Sequence, residues 1–274
     1  MSRTCAESGC NLEALALADR CWAHLGDRET YRRELEKRAP REPLQGACLA
    51  MADLRDLDLG GVNLRRANLR GARLAGSGLR GANLEGANLR GTDLSGASLD
   101  QANCGRADLT AARLEGARAR GTHLEAARLS FASARQCDLG RAHLRLAFLE
   151  FSDLEGANLT DAVLDFAVLG GARLQAADFT GASLRVANLV GAHAPGAVFD
   201  RADLYYARPA RANLAGARFA GANLRRTIFR AADLSGAVLA GADVRGAIFE
   251  RARIVDVEWG DVDPSGCNLG GVES

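Results

Sequence analysis

Cys5, Cys10, Cys21 and His24 fall in the spacing C-x4-C-x10-C-x2-H, and no other residues of this chain are better placed for chemistry. Three thiolates and one imidazole in two close pairs form the donor set of a closed tetrahedral zinc site. Three of the seven cysteines and one of the four histidines lie within twenty positions, against the alternative of four unrelated residues. A segment this short scarcely folds without a metal. Zinc is therefore expected here, in a structural role.

The other titratable residues offer less. His123 and His143 are twenty residues apart, and His193 stands alone. The first two would stack about 5 Å apart on one face if the chain wound with a period of twenty, but no third ligand or nucleophile stands out beside them. No phosphate loop, Ser/His/Asp set or paired-carboxylate signature is present. Cys104 and Cys137 occupy inward positions of the repeat described next, where cysteine serves as a small hydrophobe. A non-enzymatic protein is expected.

What must position these residues is a repeat of five. In GANLEGANLRGTDLSGASLD, residues 81–100, every fifth residue is leucine. Taking that leucine as a centre, centres run from residue 44 to residue 254 without a register break. They make 43 pentapeptides, 31 of them centred on leucine. Phe179, Phe199, Phe219, Phe229 and Phe249 account for most of the large exceptions, and Cys104, Ala119, Ala134 and Ala194 for the small ones. Two residues before the centre the chain is nearly always alanine, with a polar residue, often Asn or Asp, between.

A period of five walks apolar residues all round a helix, so an amphipathic helix is excluded. In an extended segment alternate side chains share a face, so Ala and the Leu two later point inward and the polar residue outward. The remaining two residues turn a corner, and the second is glycine in 20 of the 43 units. That suits a type II turn, whose third residue needs φ > 0. Four such sides close a coil of twenty residues, and stacked coils bury what a single coil cannot.

The A-(N/D)-L-x-x pattern resembles the pentapeptide-repeat family, over about 215 residues. The resemblance implies an all-β fold, a right-handed quadrilateral parallel β-helix. At four units per coil and ~4.8 Å per strand spacing the rod would be about 50 Å long. Its open edges need covering. The N-terminal segment resembles the small Cys3His fingers at the start of many bacterial and phage proteins. The expected organisation is a zinc-finger-like module at 1–26, a capping helix at 27–43, the β-helix at 44–258 and a C-terminal cap at 259–274. In the capping helix Asp27 is the N-cap, Glu29–Arg33 and Glu34–Arg38 are i,i+4 pairs, Pro40 ends the run, and Tyr31 and Leu35 form its apolar stripe. Trp259 is large enough to plug the last coil.

Composition narrows the partners. Basic and acidic residues number 35 and 34, for a net charge of +1, so no global field points to nucleic acid or a membrane. No apolar run reaches the length of a membrane span. The N-terminus has no apolar core of a signal peptide, which points to the cytoplasm. The first 43 residues carry eight basic and eight acidic side chains, so the finger has weak support as a phosphate binder. Contact with DNA, contact with a protein and simple capping of the rod all stay open for it.

The repeat register sorts the surface, and two features break its polar rule. Phe131, Leu146, Phe148, Phe151, Val163, Phe166, Val168, Val186, Tyr205 and Tyr206 all take outward positions. A contiguous exposed apolar patch marks a partner or dimer surface. Residues 149–178 carry Glu150, Asp153, Glu155, Asp161, Asp165 and Asp178 against Arg173 alone, a net −5. Some pentapeptide-repeat proteins protect DNA gyrase and topoisomerase IV from quinolones or natural poisons, as rods with the width and charge of DNA. The resemblance therefore implies a DNA mimic acting in antibiotic resistance or self-immunity. The neutral charge, the many arginines, the finger and the lack of register-breaking loops depart from that pattern. A general protein-interaction scaffold and a finger-directed nucleic-acid binder are the alternatives.

Overall fold

Every corner of the repeat adopts the backbone its sequence position asks for. The Ala52 N–H donates to the Leu49 carbonyl at 3.2 Å, and the equivalent bond closes turn after turn along the chain. The second corner residue has positive φ in all 43 units, from Gly46 to Asp256. Glycine takes 20 of these positions at little steric cost, but 23 hold side chains in the left-handed region. The computed structural model that gives this geometry describes residues 4–8 and 14–273.

The coils stack in parallel with a shift of twenty residues. Bridges pair Cys48 with Asn68, Asn68 with Asn88, and so on to Arg253 with Glu273. Each is an isolated bridge rather than part of a continuous strand. A corner every five residues explains this, because only the polar middle residue of each side has extended neighbours on both flanks. The Leu49 N–H donates to Asn68 O at 2.7 Å and the Asn68 N–H to Ala47 O at 2.8 Å, so each rung bonds on both sides.

The interior follows from the same register. The Ala and Leu positions are buried along the whole rod. Phe179, Phe199 and Phe219 stack one coil apart at 4.8 and 5.1 Å, with Phe229 and Phe249 stacked at 5.0 Å in a second column. Where Ser77, Thr92, Thr122, Ser152 or Thr227 replaces the inward alanine, its hydroxyl donates to a carbonyl 2.7–2.8 Å away. No buried hydroxyl of this set is left unpaired, which would otherwise be costly. Cys104, Ala119 and Ala134 are small where leucine columns pass, and with Cys137, at an alanine position, they line an apolar void in the middle of the rod.

Proline interrupts the ladder once. Pro209 occupies a centre and has no N–H to donate, and the Arg208–Ile228 bridge that would flank it is missing. The winding continues past it, with Asn213 paired to Asp233. Pairing also extends beyond the expected boundary at 258, since Ile248 bridges Asn268 and Arg253 bridges Glu273. Trp259 packs edge-on against Phe249 at 5.7 Å, half-buried at that end of the core.

At the other end helix α1 spans Arg28–Arg38. Asp27 accepts the Thr30 N–H at 2.9 Å as its cap. Glu29 lies 3.8 Å from Arg33, whereas Arg38 takes a two-pronged bond to Glu42 at 2.8 and 2.9 Å rather than closing on Glu34. Tyr31 and Leu35 turn inward and join the core. Arg32 reaches the first coil through Asp53 Oδ1 at 3.2 Å and the Arg55 carbonyl at 2.7 Å. The Ala16 N–H also donates to the Cys48 carbonyl at 2.7 Å, so the N-terminal segment is tied to the rod by backbone as well. Among the described residues no helix is long and apolar enough to cross a membrane.

Candidate functional site

Three of the four expected zinc ligands come together. Cys21 precedes a short 3-10 turn, Trp22–His24, which brings the imidazole back over the thiol. His24 Nδ1 lies 3.4 Å from Cys21 Sγ and 3.5 Å from Cys5 Sγ. A tetrahedral zinc with bonds of 2.3 Å to sulfur and 2.1 Å to nitrogen would set such atoms about 3.6 Å apart. Burial works to raise the Cys5 thiol, but the Cys21 and Glu7 backbone donors, with His24 and the Cys21 side chain, outweigh it and draw it down to about 6. The thiolate, the ligating form, is thus favoured at neutral pH. Cys10 lies outside the described residues. By contrast, burial pushes Cys104 and Cys137 up to about 12, which keeps them as inert thiols inside the rod.

The apolar residues converge on one wall. The rungs Arg128, Phe148, Val168 and Asn188 form that wall, because bridges stack them in this order. Leu146, Phe166, Val186 and Tyr206 climb one of its corners, and Phe131 and Phe151 the other. Among the described residues nine large hydrophobic side chains are exposed, and seven belong to this strip: Phe131, Leu146, Phe148, Phe151, Phe166, Val186 and Tyr206. Phe131 and Phe151 are 62% and 61% exposed and stack on each other at 5.4 Å. Val163, on the neighbouring wall, and Tyr205 are half-buried, so they border the strip. Arginines line the same border: Arg145 lies over Phe166 at 5.3 Å, Arg185 over Tyr205 at 4.9 Å and Arg226 over Tyr206 at 5.3 Å.

The acidic residues do not converge. By register Asp153 and Asp178 sit on two different walls, and Glu150, Glu155, Asp161 and Asp165 on four different corners. Arg135 and Arg173 both approach Asp153, at 3.5 and 3.4 Å, and Glu155, at 2.9 and 3.3 Å. Asp161 faces Arg141 at 3.7 Å. Glu150 accepts from Ser130 at 2.9 Å, Asp165 from the Arg185 N–H at 3.1 Å and Asp178 from the Thr180 N–H at 2.9 Å. The net −5 of the segment is therefore spread around the rod, and arginine side chains meet three of its six acids, Asp153, Glu155 and Asp161.

The sequence model of pentapeptide repeats matches this chain in eight copies, over residues 47–86, 87–125, 122–161, 157–193 and 212–251. The chain belongs to the pentapeptide-repeat family. Among solved structures it is similar to HetL, a pentapeptide repeat protein involved in heterocyst differentiation regulation from the cyanobacterium Nostoc sp. strain PCC 7120. The two are 33% identical, the alignment covers 85% of this chain and 98% of that one, and the TM-score is 0.57. It also matches QnrB1, a plasmid-mediated fluoroquinolone resistance protein, at 23% identity over 72% of this chain and 88% of that one, with a TM-score of 0.37. That second likeness is too distant to bear on function. No curated protein matched.

As a pentapeptide-repeat protein the chain carries its distinguishing residues on corners and walls. One of these escaped the sequence reading. Glu125, a first corner residue, lies 3.3 Å from His123 Nδ1 and 3.8 Å from His143 Nδ1. A period of twenty finds the two histidines but not the carboxylate, which belongs to a different column. The usable signal was its place two residues after His123, where a side chain at the corner can bend back over the wall. The same backward step lets Asp53 meet Arg55 at 2.6 Å.

Proposed function

We propose that this pentapeptide-repeat protein is a non-enzymatic binding rod that docks a protein partner on the apolar strip of one wall. In this reading the solenoid is the right-handed, four-sided β-helix of its family, closed at one end by the N-terminal module and α1. The observation that carries the proposal is the backbone under the strip. Six of its seven exposed residues, Phe131, Leu146, Phe151, Phe166, Val186 and Tyr206, sit on corners with φ between 57° and 61°. Glycine is the default there, and a side chain costs on the order of 1 kcal/mol in the left-handed region. A β-branched residue such as Val186 is a marked outlier. Neither folding nor solubility is served by bulky apolar groups at these positions. Covering each ring with a partner returns roughly 1.5–3 kcal/mol, so binding is what they serve.

The simplest partner is a second copy in a two-fold side-by-side contact. Phe148→Ser with Phe151→Ser should leave the fold intact, since both side chains lie outside the core and surface changes move stability by about 0.5 kcal/mol at most. Losing two rings should weaken association by about 3 kcal/mol, more than 100-fold. Light scattering and a thermal melt on both proteins check this. A dimer becoming a monomer with an unchanged melt supports the strip. A monomeric wild type whose double variant binds its target as well as the parent does would overturn it.

The narrower reading is a DNA mimic that binds gyrase or topoisomerase IV. Its support is the family resemblance and the acidic segment, while the arginines that meet three of those acids weigh against a continuous negative stripe. A supercoiling assay with gyrase and a poison, with and without the protein, tests it: no protection at stoichiometric protein sinks this reading and leaves the apolar strip standing. The N-terminal cluster is proposed as a structural zinc site held by Cys5, Cys10, Cys21 and His24.

A further inference from the structure

We propose that His123, Glu125 and His143 form a second, open metal site on the rod, suited to a divalent transition-metal ion of the zinc or copper class. The two histidines are direct neighbours on the ladder, paired by a parallel bridge. Their rings stack at 4.7 Å and 15°. The His123 N–H donates to Ala102 O and the His143 N–H to Thr122 O, both at 2.9 Å, so the rungs beneath them are fixed. Glu125 supplies the third donor, and the three ligand atoms lie within 4.8 Å of one another. In a tetrahedral site with bonds near 2.1 Å, ligand atoms stand roughly 3.4 Å apart. Glu125 Oε1 is already 3.3 and 3.8 Å from the two Nδ1 atoms. Tilting the rings toward one point needs only side-chain torsions.

The surroundings keep this carboxylate for the histidines. Several acids elsewhere on the rod are met by arginines, as Asp138 is by Arg120 at 3.1 Å and Asp203 by Arg185 at 2.7 Å. Arg145, one coil above Glu125, instead lies over the Phe166 ring. Among the described residues the side chains that Glu125 lies closest to as a partner are the two imidazoles. Two imidazoles and a carboxylate select a zinc- or copper-like ion over magnesium or calcium, which prefer all-oxygen shells. Three protein ligands leave a position open to water or to a ligand from outside. The side chains are close to half exposed, so exchange is free and the bound ion is dialysable.

The test is a zinc titration by calorimetry of the full chain, saturated with zinc and then dialysed. Wild type is compared with the double variant His123→Asn/His143→Asn and with Glu125→Gln. Asparagine already occupies this wall at Asn63, Asn83 and Asn103, so the double variant should melt like the parent. Wild type should take up one reversible equivalent more than the double variant, whatever the cysteines hold. Losing a direct ligand in Glu125→Gln should weaken that uptake at least as much as losing an outer-shell partner does, about 10- to 100-fold. Identical titrations of wild type and double variant would overturn the site, as would a wild type that takes up no reversible zinc at all.

Discussion

Leu154→Asp is expected to abolish soluble, folded protein. Leu154 is fully buried, in the column of centres between Ala134 and Leu174. Its own N–H already donates to Arg173 O at 2.8 Å and its carbonyl already accepts from Ala157 at 3.0 Å. The neighbouring backbone groups are likewise spent on the ladder, so an aspartate there finds no free donor. Burying an unpaired carboxylate, or its protonated form without partners, costs several kcal/mol. In a solenoid that loss is not diluted over a large core, because each coil is held by its two neighbours alone. The damage should cut the rod in two near its middle, beside the void lined by Ala134 and Cys137. Leu154→Ala separates charge from volume: it should cost about 2–5 kcal/mol and still fold. Soluble yield and a circular-dichroism melt read both. An aspartate variant with the parent's yield and melting temperature would place residue 154 outside the core and break the register on which every other assignment rests.

The rod was legible because its rule is local. Five residues carry one side and one corner, so the inward Leu and Ala, the outward Asn or Asp and the positive-φ corner could all be read from spacing alone. The corners show how strong that rule is, since Phe131, Arg141 and Val186 adopt the glycine conformation when the register demands it. The strip was legible for the same reason: a period of twenty puts Phe148 beside Val168 and Phe131 beside Phe151. What spacing could not give was pairing between different columns. Glu125 bends from a corner to the histidines, Arg173 reaches across to Glu155, and Arg38 turns from Glu34 to Glu42. Long flexible side chains choose among several partners at similar cost, and one residue of reach decides between them. The winding disperses a segment with a net −5 along the chain over several walls and corners of the rod, with Asp153, Glu155 and Asp161 met by arginines. The end of the winding was hidden for another reason: Pro264, at a centre, and Gly266 interrupt the residue pattern with a short 3-10 turn, while Leu269 and Gly271 stand in the unbroken five-residue register.

Cys21→Ser is expected to strip the N-terminal module of its metal while leaving the rod wound. Purified without a histidine tag and dialysed, the wild type should retain about one zinc per chain. Dialysis removes an ion from the exposed histidine site, so what stays reports the cysteines. Cys21 is buried and has both His24 Nδ1 and Cys5 within 3.5 Å. Replacing it takes away one ligand, while the residue 21 N–H can still donate to Cys5 Sγ, so the metal is lost for want of a thiolate alone. Structural zinc in fingers is worth roughly 10–16 kcal/mol at neutral pH, far more than so short a segment can supply by burial. The module should therefore unfold when the metal is lost. Its attachment to the rod should loosen with it, because Tyr31 donates to Ala16 O at 3.0 Å and Ala16 to Cys48 O at 2.7 Å. The coils beyond the first have their own rungs and should keep their β signal. Elemental analysis, circular dichroism and hydrogen exchange at Leu49 and Leu69 separate these effects. Exchange should rise at Leu49, whose coil lies under the module, and stay unchanged at Leu69, one coil further on. A wild type free of zinc under reducing conditions would overturn the metal assignment, and equal exchange at both leucines in the two proteins would overturn the module's role as a cap.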